Sequence, residues 1–235
     1  MENLRHLHLP FFDVNECEEI ISYIDEKQII LQKKYGEKYK HRFSIEKNSV
    51  YENLSTTLYQ RYNFFKDNPK YISRLKKILE ENFPDLNYPL FIQSWGNIYE
   101  KNQGIPWHTH SFINGTQTLG ITSNIFIGGD ENIGTTYAFP DGRIPKFNYM
   151  NVKNKIGYIQ FVSNEIHHMV SPNKSDQKRY SIGITINEYD HRYSKVYVDS
   201  LAKEIVNLES GKHDKNGLLV IAKPDANKKS FIAYK

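Results

Sequence analysis

Cys17 is the only cysteine in a chain of 235 residues, so an intrachain disulfide is impossible and a thiolate metal site is not expected. The shortage fits a reducing compartment, and the expected location is the cytoplasm. The sequence has no apolar run long enough to span a bilayer, and no apolar leader-like stretch near its start, so a soluble, unanchored protein is expected. Charge of either sign is not in large excess: 31 Lys and Arg face 27 Asp and Glu, a net +4 that does not by itself call for nucleic acid. Internal repeats and long low-complexity segments are also missing, which removes solenoids and arrays. What is abundant is aromatic, with 17 Tyr and 13 Phe, residues that β proteins place in core layers and at site walls. The length suits one domain. Its expected parts are a helical support over 1–88, a strand-rich core over 89–190 and an extension over 191–235.

The support begins with an apolar segment, Leu4 to Phe12, expected as an edge strand. His6 and His8 lie at alternate positions there, but an edge strand accounts for them better than a metal does. Asp13 and Glu16 are spaced as a capping box, and Cys17, Ile20, Ile21, Ile24 and Leu31 then recur at helical spacing. Lys33 to Arg42 is basic and interleaved with tyrosine. It could form a groove for an acidic partner, though a solvated loop is the better reading. Two more helices are expected, over Ser55 to Phe65 and Asn68 to Phe83. The second has Asn68 as N-cap, Pro69 in its first turn and an apolar stripe of Ile72, Leu75, Leu79 and Phe83. Pro84 and Asp85 close the helical region. Strands are expected from Phe91 onward, with Leu119 to Ile127 central and Gly128 to Phe147 as a loop. Arg143 and Lys146 in that loop are candidate substrate contacts, Arg143 the preferred one. Beyond a polar connection from Asn187 to Ser194, a helix over Ser200 to Leu208, a strand over Leu218 to Ala222 and an edge strand at Phe231 and Ile232 are expected.

The chemistry-bearing residues lie between Tyr99 and Arg179. His108 and His110 share one face if they sit in a strand, with Thr109 turned away, and imidazole suits iron, zinc, copper or nickel. Alone, the pair is better read as two half-buried histidines with hydrogen-bonded rings. His167 and His168 follow later, and in a strand only one of these neighbours can face the same cavity. Arg179 to Ile186 alternates, placing Arg179, Ser181, Gly183 and Thr185 on one face and Tyr180, Ile182, Ile184 and Ile186 on the other. An arginine on a small, polar face is suited to clamp a carboxylate. Trp107, beside the first histidine, could wall the cavity, but filling the core is the preferred reading.

Two early histidines, a later one and an arginine beyond it resemble the iron(II)/2-oxoglutarate-dependent oxygenases. The prolyl-hydroxylase-like branch is the nearest match. Tyr99, Gly104 and His108 look like its lead-in. Gly128-Gly129-Asp130, with Thr136 and Phe139-Pro140, looks like its glycine-pair segment, loosened by an insertion. Gly157 to Phe161, then His168, Val170 and Pro172, looks like its distal-histidine segment, which selects His168 over His167. The resemblance covers residues 90 to 190, and one position departs from it. Where the family usually has Asp or Glu, this chain has His110, as does a subset of such proteins, many of them phage-borne. The acid could otherwise come from Asp130 or Glu165.

The resemblance implies a double-stranded β-helix, or jelly roll, of cupin-like type: a mainly β fold with flanking helices. It implies iron(II) held by His108, His110 and His168, and 2-oxoglutarate held at its far carboxylate by Arg179 with help from Ser181 or Tyr99. Dioxygen would be consumed in hydroxylating an unactivated C–H bond, with succinate and carbon dioxide as coproducts. Two alternatives stay open at this point. One is a three-histidine, cofactor-independent iron dioxygenase of cupin type. The other is a non-enzymatic jelly-roll module whose histidines bind zinc structurally or bind nothing. The substrate is unknown: a protein side chain, an amino acid or a small metabolite is favoured over nucleic acid. A homodimer contact is possible for the C-terminal extension.

Overall fold

The computed structural model describes residues 7–35, 62–86, 90–113, 116–117, 119–140, 147–188 and 219–221. The first strand, β1 (Leu7–Pro10), is an edge strand as expected, and the long helix α1 (Val14–Tyr35) follows. The capping box at the start of α1 is reciprocal. The Glu16 backbone N–H donates to Asp13 Oδ1 at 2.8 Å, and the Asp13 N–H donates to Glu16 Oε2 at 3.0 Å. Cys17, Ile20 and Ile24 form the buried stripe of α1. The helix takes in Lys33, so the basic stretch opens as a helix end and not as loop; residues 36–42 lie outside the described residues.

Of the helix expected over Ser55 to Phe65, residues 55–61 lie outside the described residues, and the helical turn α2 is Phe64–Asp67. Asn63 caps it, accepting from the N–H groups of Phe65 and Lys66. The Asn68 expectation needs correction. Its side chain caps nothing ahead of it and instead donates back to the Phe64 carbonyl at 3.0 Å. The chain then makes a 3₁₀ turn over Pro69–Tyr71 before α3 (Ile72–Asn82), because asparagine here meets the end of one helix before the start of the next. Leu75, Leu79 and Phe83 are buried as the stripe requires. Arg74 on α3 makes a two-pronged bond to Glu16, 2.8 and 2.9 Å, and also reaches the Phe11 carbonyl, tying α3 to the start of α1.

The strands are β2 (Leu90–Tyr99), β3 (Ile105–His108), β4 (Phe112–Ile113), β5 (Thr116–Gln117), β6 (Gly120–Gly128), β7 (Thr135–Pro140), β8 (Phe147–Val152), β9 (Tyr158–Ser163), β10 (His167–Val170), β11 (Arg179–Glu188) and β12 (Leu219–Ile221). Six of them form an antiparallel sheet in the order β1-β9-β6-β11-β2-β12, and four form a second in the order β3-β10-β7-β8. A small pair, β4-β5, stands apart. The central strand β11 is buried along its whole length and runs two residues further than expected, through Asn187 and Glu188. Its Ile182, Ile184 and Ile186 join Ile121, Ile125, Ile159 and the helix stripes in one core. Its other face looks into the space between the sheets.

The expected loop from Gly128 to Phe147 contains a strand, β7, which pairs with both β10 and β8. Thr135, Thr136, Tyr137 and Phe139 are β-formers, but glycines before them and Pro140 after them disguised the run. Arg143 and Lys146 lie outside the described residues. Of the C-terminal expectations, the strand near Leu218 is present as β12, pairing with β2; the helix over Ser200 to Leu208 and the strand at Phe231 and Ile232 lie outside the described residues. No helix among the described residues is long and apolar enough to cross a membrane.

Candidate functional site

His108 closes β3 and His168 lies on β10, and the two are directly opposite in register. His110 is not in the strand. It stands in a bend just after β3, its backbone N–H donating to the Asn164 carbonyl at 3.0 Å, so it reaches the cavity by loop geometry and not by strand alternation. The three rings nevertheless converge. Their ring centroids are 4.2 Å apart for His108 and His168, and 5.2 Å for each pair containing His110. One ring nitrogen from each lies within 4.8 Å of the others. Of the neighbouring pair, His168 points in and is buried, while His167 is exposed.

Each histidine is oriented through Nδ1. His108 Nδ1 donates to the Pro106 carbonyl at 2.8 Å, and His168 Nδ1 donates to the Ile166 carbonyl at 3.0 Å. His110 Nδ1 lies 3.0 Å from the Thr185 hydroxyl on β11. A histidine that donates from Nδ1 keeps its lone pair on Nε2, the state a metal ligand needs. Burial and the other histidines favour the neutral ring in all three. His168 is pushed down to about 3, first by burial and then by His108. His110 is held well below its ordinary value by burial, then by His168 and His108. Burial also lowers His108. The candidate acids from elsewhere do not join: the Asp130 carboxylate accepts from the N–H and side chain of Asn132, and Glu165 is exposed.

The cavity beside the histidines is walled by the inner face of the large sheet, including Trp95, Asn97, Tyr99, Thr122, Asn124 and Gly183. Arg179 lies behind this wall. Its side chain is completely buried, with the guanidinium 4.7 Å from the centre of the Tyr99 ring and 5.7 Å from that of Phe126. Its Nη2 donates to Asn154 Oδ1 at 3.3 Å, while Nε and Nη1 have no protein acceptor among the described residues. Burial lowers its pKa, opposed by Tyr99. Ser181 and Tyr99 are both buried beside it, and Asn97 Nδ2 donates to Ser181 Oγ at 3.4 Å. Gly129 makes room for this corner. It sits at φ +114°, and a Cβ there would come within 2.8 Å of Arg179 Cα, so the second glycine of the pair is needed for the close approach of the two backbones.

Trp107 is neither cavity wall nor core. It is 44% exposed and leans on Tyr149, ring centres 5.8 Å apart, on the outside of the small sheet. As the neighbour of an inward-facing strand residue, it has to face outward. Several groups escaped the sequence reading: Tyr137, whose hydroxyl donates to Gln160 Oε1 at 2.8 Å, Thr135 and Asn124 on the cavity wall, and Asn154 in the connection after β8. Polar residues inside otherwise apolar strands were the available signal.

No protein-family model matches the sequence, and no curated protein matches it. Solved structures match by shape. A viral collagen prolyl hydroxylase from Paramecium Bursaria Chlorella virus-1, in its 2OG complex, aligns with a TM-score of 0.54 at 15% identity, over 80% of this chain and 98% of that one. A prolyl-4-hydroxylase from Pseudomonas putida gives 0.51 at 11% identity, over 80% and 95%. The non-heme alpha ketoglutarate dependent carbocyclase SnoK from nogalamycin biosynthesis gives 0.51 at 14%, over 79% and 80%. With its two facing antiparallel sheets, the chain has the double-stranded β-helix fold that these enzymes share.

Proposed function

We propose that this protein is a non-haem iron(II)- and 2-oxoglutarate-dependent dioxygenase that hydroxylates an unactivated C–H bond. The observation that carries the reading is Arg179, a buried cation with two nitrogens that meet no acceptor among the described residues, on the strand that also meets the histidine cluster through Thr185. A buried guanidinium left this way is costly unless an anion completes it, and its planar fork matches a carboxylate. The donor set also fits: three neutral imidazoles suit iron(II), and they occupy three positions and leave others for exogenous ligands. The resemblance in fold to 2-oxoglutarate enzymes agrees with this.

His108, His110 and His168 would hold the ion, and Arg179 with Ser181 and Tyr99 would hold the far carboxylate of the cosubstrate. Iron(II) with 2-oxoglutarate and dioxygen supplies the oxidant, giving succinate and carbon dioxide. The protein supplies orientation and a water-poor cavity. The wall residues around Tyr99 and Tyr137 have to admit the carboxylate to Arg179. The neutral triad would also suit a three-histidine dioxygenase that uses no cosubstrate, but that reading leaves Arg179 without a purpose. A protein or amino-acid substrate is the preferred class.

The test is anaerobic addition of iron(II) and 2-oxoglutarate to metal-free protein, following the weak visible band of a chelated 2-oxo acid. The band should form, vanish in His108→Ala and His168→Ala, and saturate poorly in Arg179→Ala. Iron binding without the band would favour the three-histidine dioxygenase, and no iron binding would reject both enzymes.

A further inference from the structure

The three histidines are not held in the same way. His108 and His168 each use the backbone carbonyl two residues earlier, from Pro106 and Ile166. A carbonyl oxygen only accepts, so the proton of each ring must sit on Nδ1 and the lone pair on Nε2. These two ligands are set by their own segments. His110 differs, because its Nδ1 faces the hydroxyl of Thr185, a residue 75 positions away in the chain. A hydroxyl can accept or donate. If it accepts, His110 carries its proton on Nδ1 and offers Nε2, like its neighbours. If it donates, the proton moves to Nε2, and that nitrogen cannot bind an ion.

The hydroxyl is well placed to hold the Nδ1 edge of His110. Thr185 is 3% exposed and lies on β11, which is hydrogen-bonded to β2 on one side and β6 on the other. Its β-branched side chain has little freedom at χ1. Ring packing fixes the plane of His110: Trp95 stacks at 6.4 Å and 26°, and His168 lies nearly parallel, 5.2 Å away at 5°. Stacking holds a plane but does not hold either ring nitrogen in place. The hydroxyl holds Nδ1, and once an ion takes Nε2 it can only accept there.

We infer that Thr185 is a positioning residue of the metal centre, whose hydroxyl accepts from His110 Nδ1–H and so presents Nε2 of the third histidine to the ion. This rests on the proposed reading of the cluster as a metal site. It makes the third ligand dependent on the strand that carries Arg179, while the other two need only their own backbone.

The test uses the full-length, metal-free protein and cobalt(II) alone as the probe, read by calorimetry and by the visible absorption of the bound ion. Thr185→Val keeps the shape and removes the hydroxyl. It should weaken cobalt(II) about 10–100-fold and change the absorption envelope. Thr185→Ala should do the same, and covers the case where valine disturbs folding. Thr185→Ser should restore both affinity and spectrum. In a His110→Ala background, Thr185→Val should add no further loss. Wild-type affinity and spectrum in Thr185→Val and Thr185→Ala, with His110→Ala still weak, would overturn the role of Thr185 while leaving the metal site standing. Equal losses in Thr185→Ser and Thr185→Val would assign the effect to packing and overturn it too. Unchanged binding in His110→Ala, or none in the wild type, would overturn the metal reading itself.

Discussion

Replacing Arg179 by methionine should make the metal-free protein more stable while disabling its proposed anion site. The guanidinium is fully buried; Nε and Nη1 have no protein acceptor among the described residues, and the remaining bond, to Asn154, is long at 3.3 Å. Each unmet buried donor costs about 1–3 kcal/mol. The face of Tyr99, 4.7 Å away, offsets about 2 kcal/mol of that, and the Asn154 bond offsets little. Methionine has similar length and no polar atom to leave unmet. Two unmet donors less that offset leave a net gain of about 0–4 kcal/mol, with about 2 kcal/mol as the central expectation. For a chain of this size a gain of about 2 kcal/mol is a rise in Tm of about 4–8 °C. The same substitution removes a charged fork and should weaken 2-oxoglutarate roughly 10- to 150-fold. The assay is thermal melting of both proteins alone, with manganese(II), and with manganese(II) plus 2-oxoglutarate. The metal-induced shift should appear in both, and the further shift from 2-oxoglutarate in the wild type alone. A variant that melts at or below the wild type would show that Arg179 is already a satisfied structural residue, and the argument for a carboxylate partner would fail with it.

Other expectations test different parts of the structure. Saturating cobalt(II) or manganese(II), at a hundred times Kd, should stabilise the wild type by about 2.7 kcal/mol in a melt, and His108→Ala should lose that shift. His167→Ala should bind metal as the wild type does, since its ring is exposed on the outer side of β10; a clear loss would mean the wrong histidine has been chosen. Gly96→Ala places a methyl 2.8 Å from Ile24 Cγ1 and Tyr62 Oη, and should cost about 1–3 kcal/mol in urea melts; Ile24→Val in the same chain should recover part of it. Arg74 holds the Glu16 carboxyl below its ordinary range, so their bond stabilises the fold above the unfolded carboxyl value and is lost as pH falls through the lowered folded one. Arg74→Leu should therefore lower stability by about 1 kcal/mol at pH 7, discounted for exposure, and the gap should close in acid; a constant gap would assign the effect to packing.

What could be read in advance was mostly local. The Asp13–Glu16 box, the stripe of α1 and the alternation of β11 depend on neighbours in sequence, and each appears where the spacing put it. Of His167 and His168 only the second turns into the cavity, because one residue of a strand pair has to face away. The failures were non-local. The strand β7 exists because β8 and β10 flank it, and neither partner is visible from Thr135 to Pro140 alone. Asn68 looked like a start signal because the helix before it, expected to end at Phe65, runs to Asp67 and takes Asn68 as its C-cap. His110 was expected on a strand and reaches the same cavity from a bend held by Asn164, a contact across the fold. Tyr137 and Asn154, which help surround Arg179, lie on segments whose path toward β11 no periodicity encodes.

The strand β11 also works as a gauge. Arg179 stands at its first residue and Thr185 six residues on, both on the inner face, with Ser181 and Gly183 between them. At about 3.3 Å per residue, the two Cα positions are set roughly 20 Å apart. Ladders on both sides prevent the strand from slipping, and a slip of one residue would turn both groups into the helix-packed core. The length of molecule that can touch both the guanidinium and an ion is thus metered by peptide geometry, not by side-chain packing. Core substitutions at Ile182 or Ile184 should loosen the protein without changing which chain length of dicarboxylate the proposed site would take.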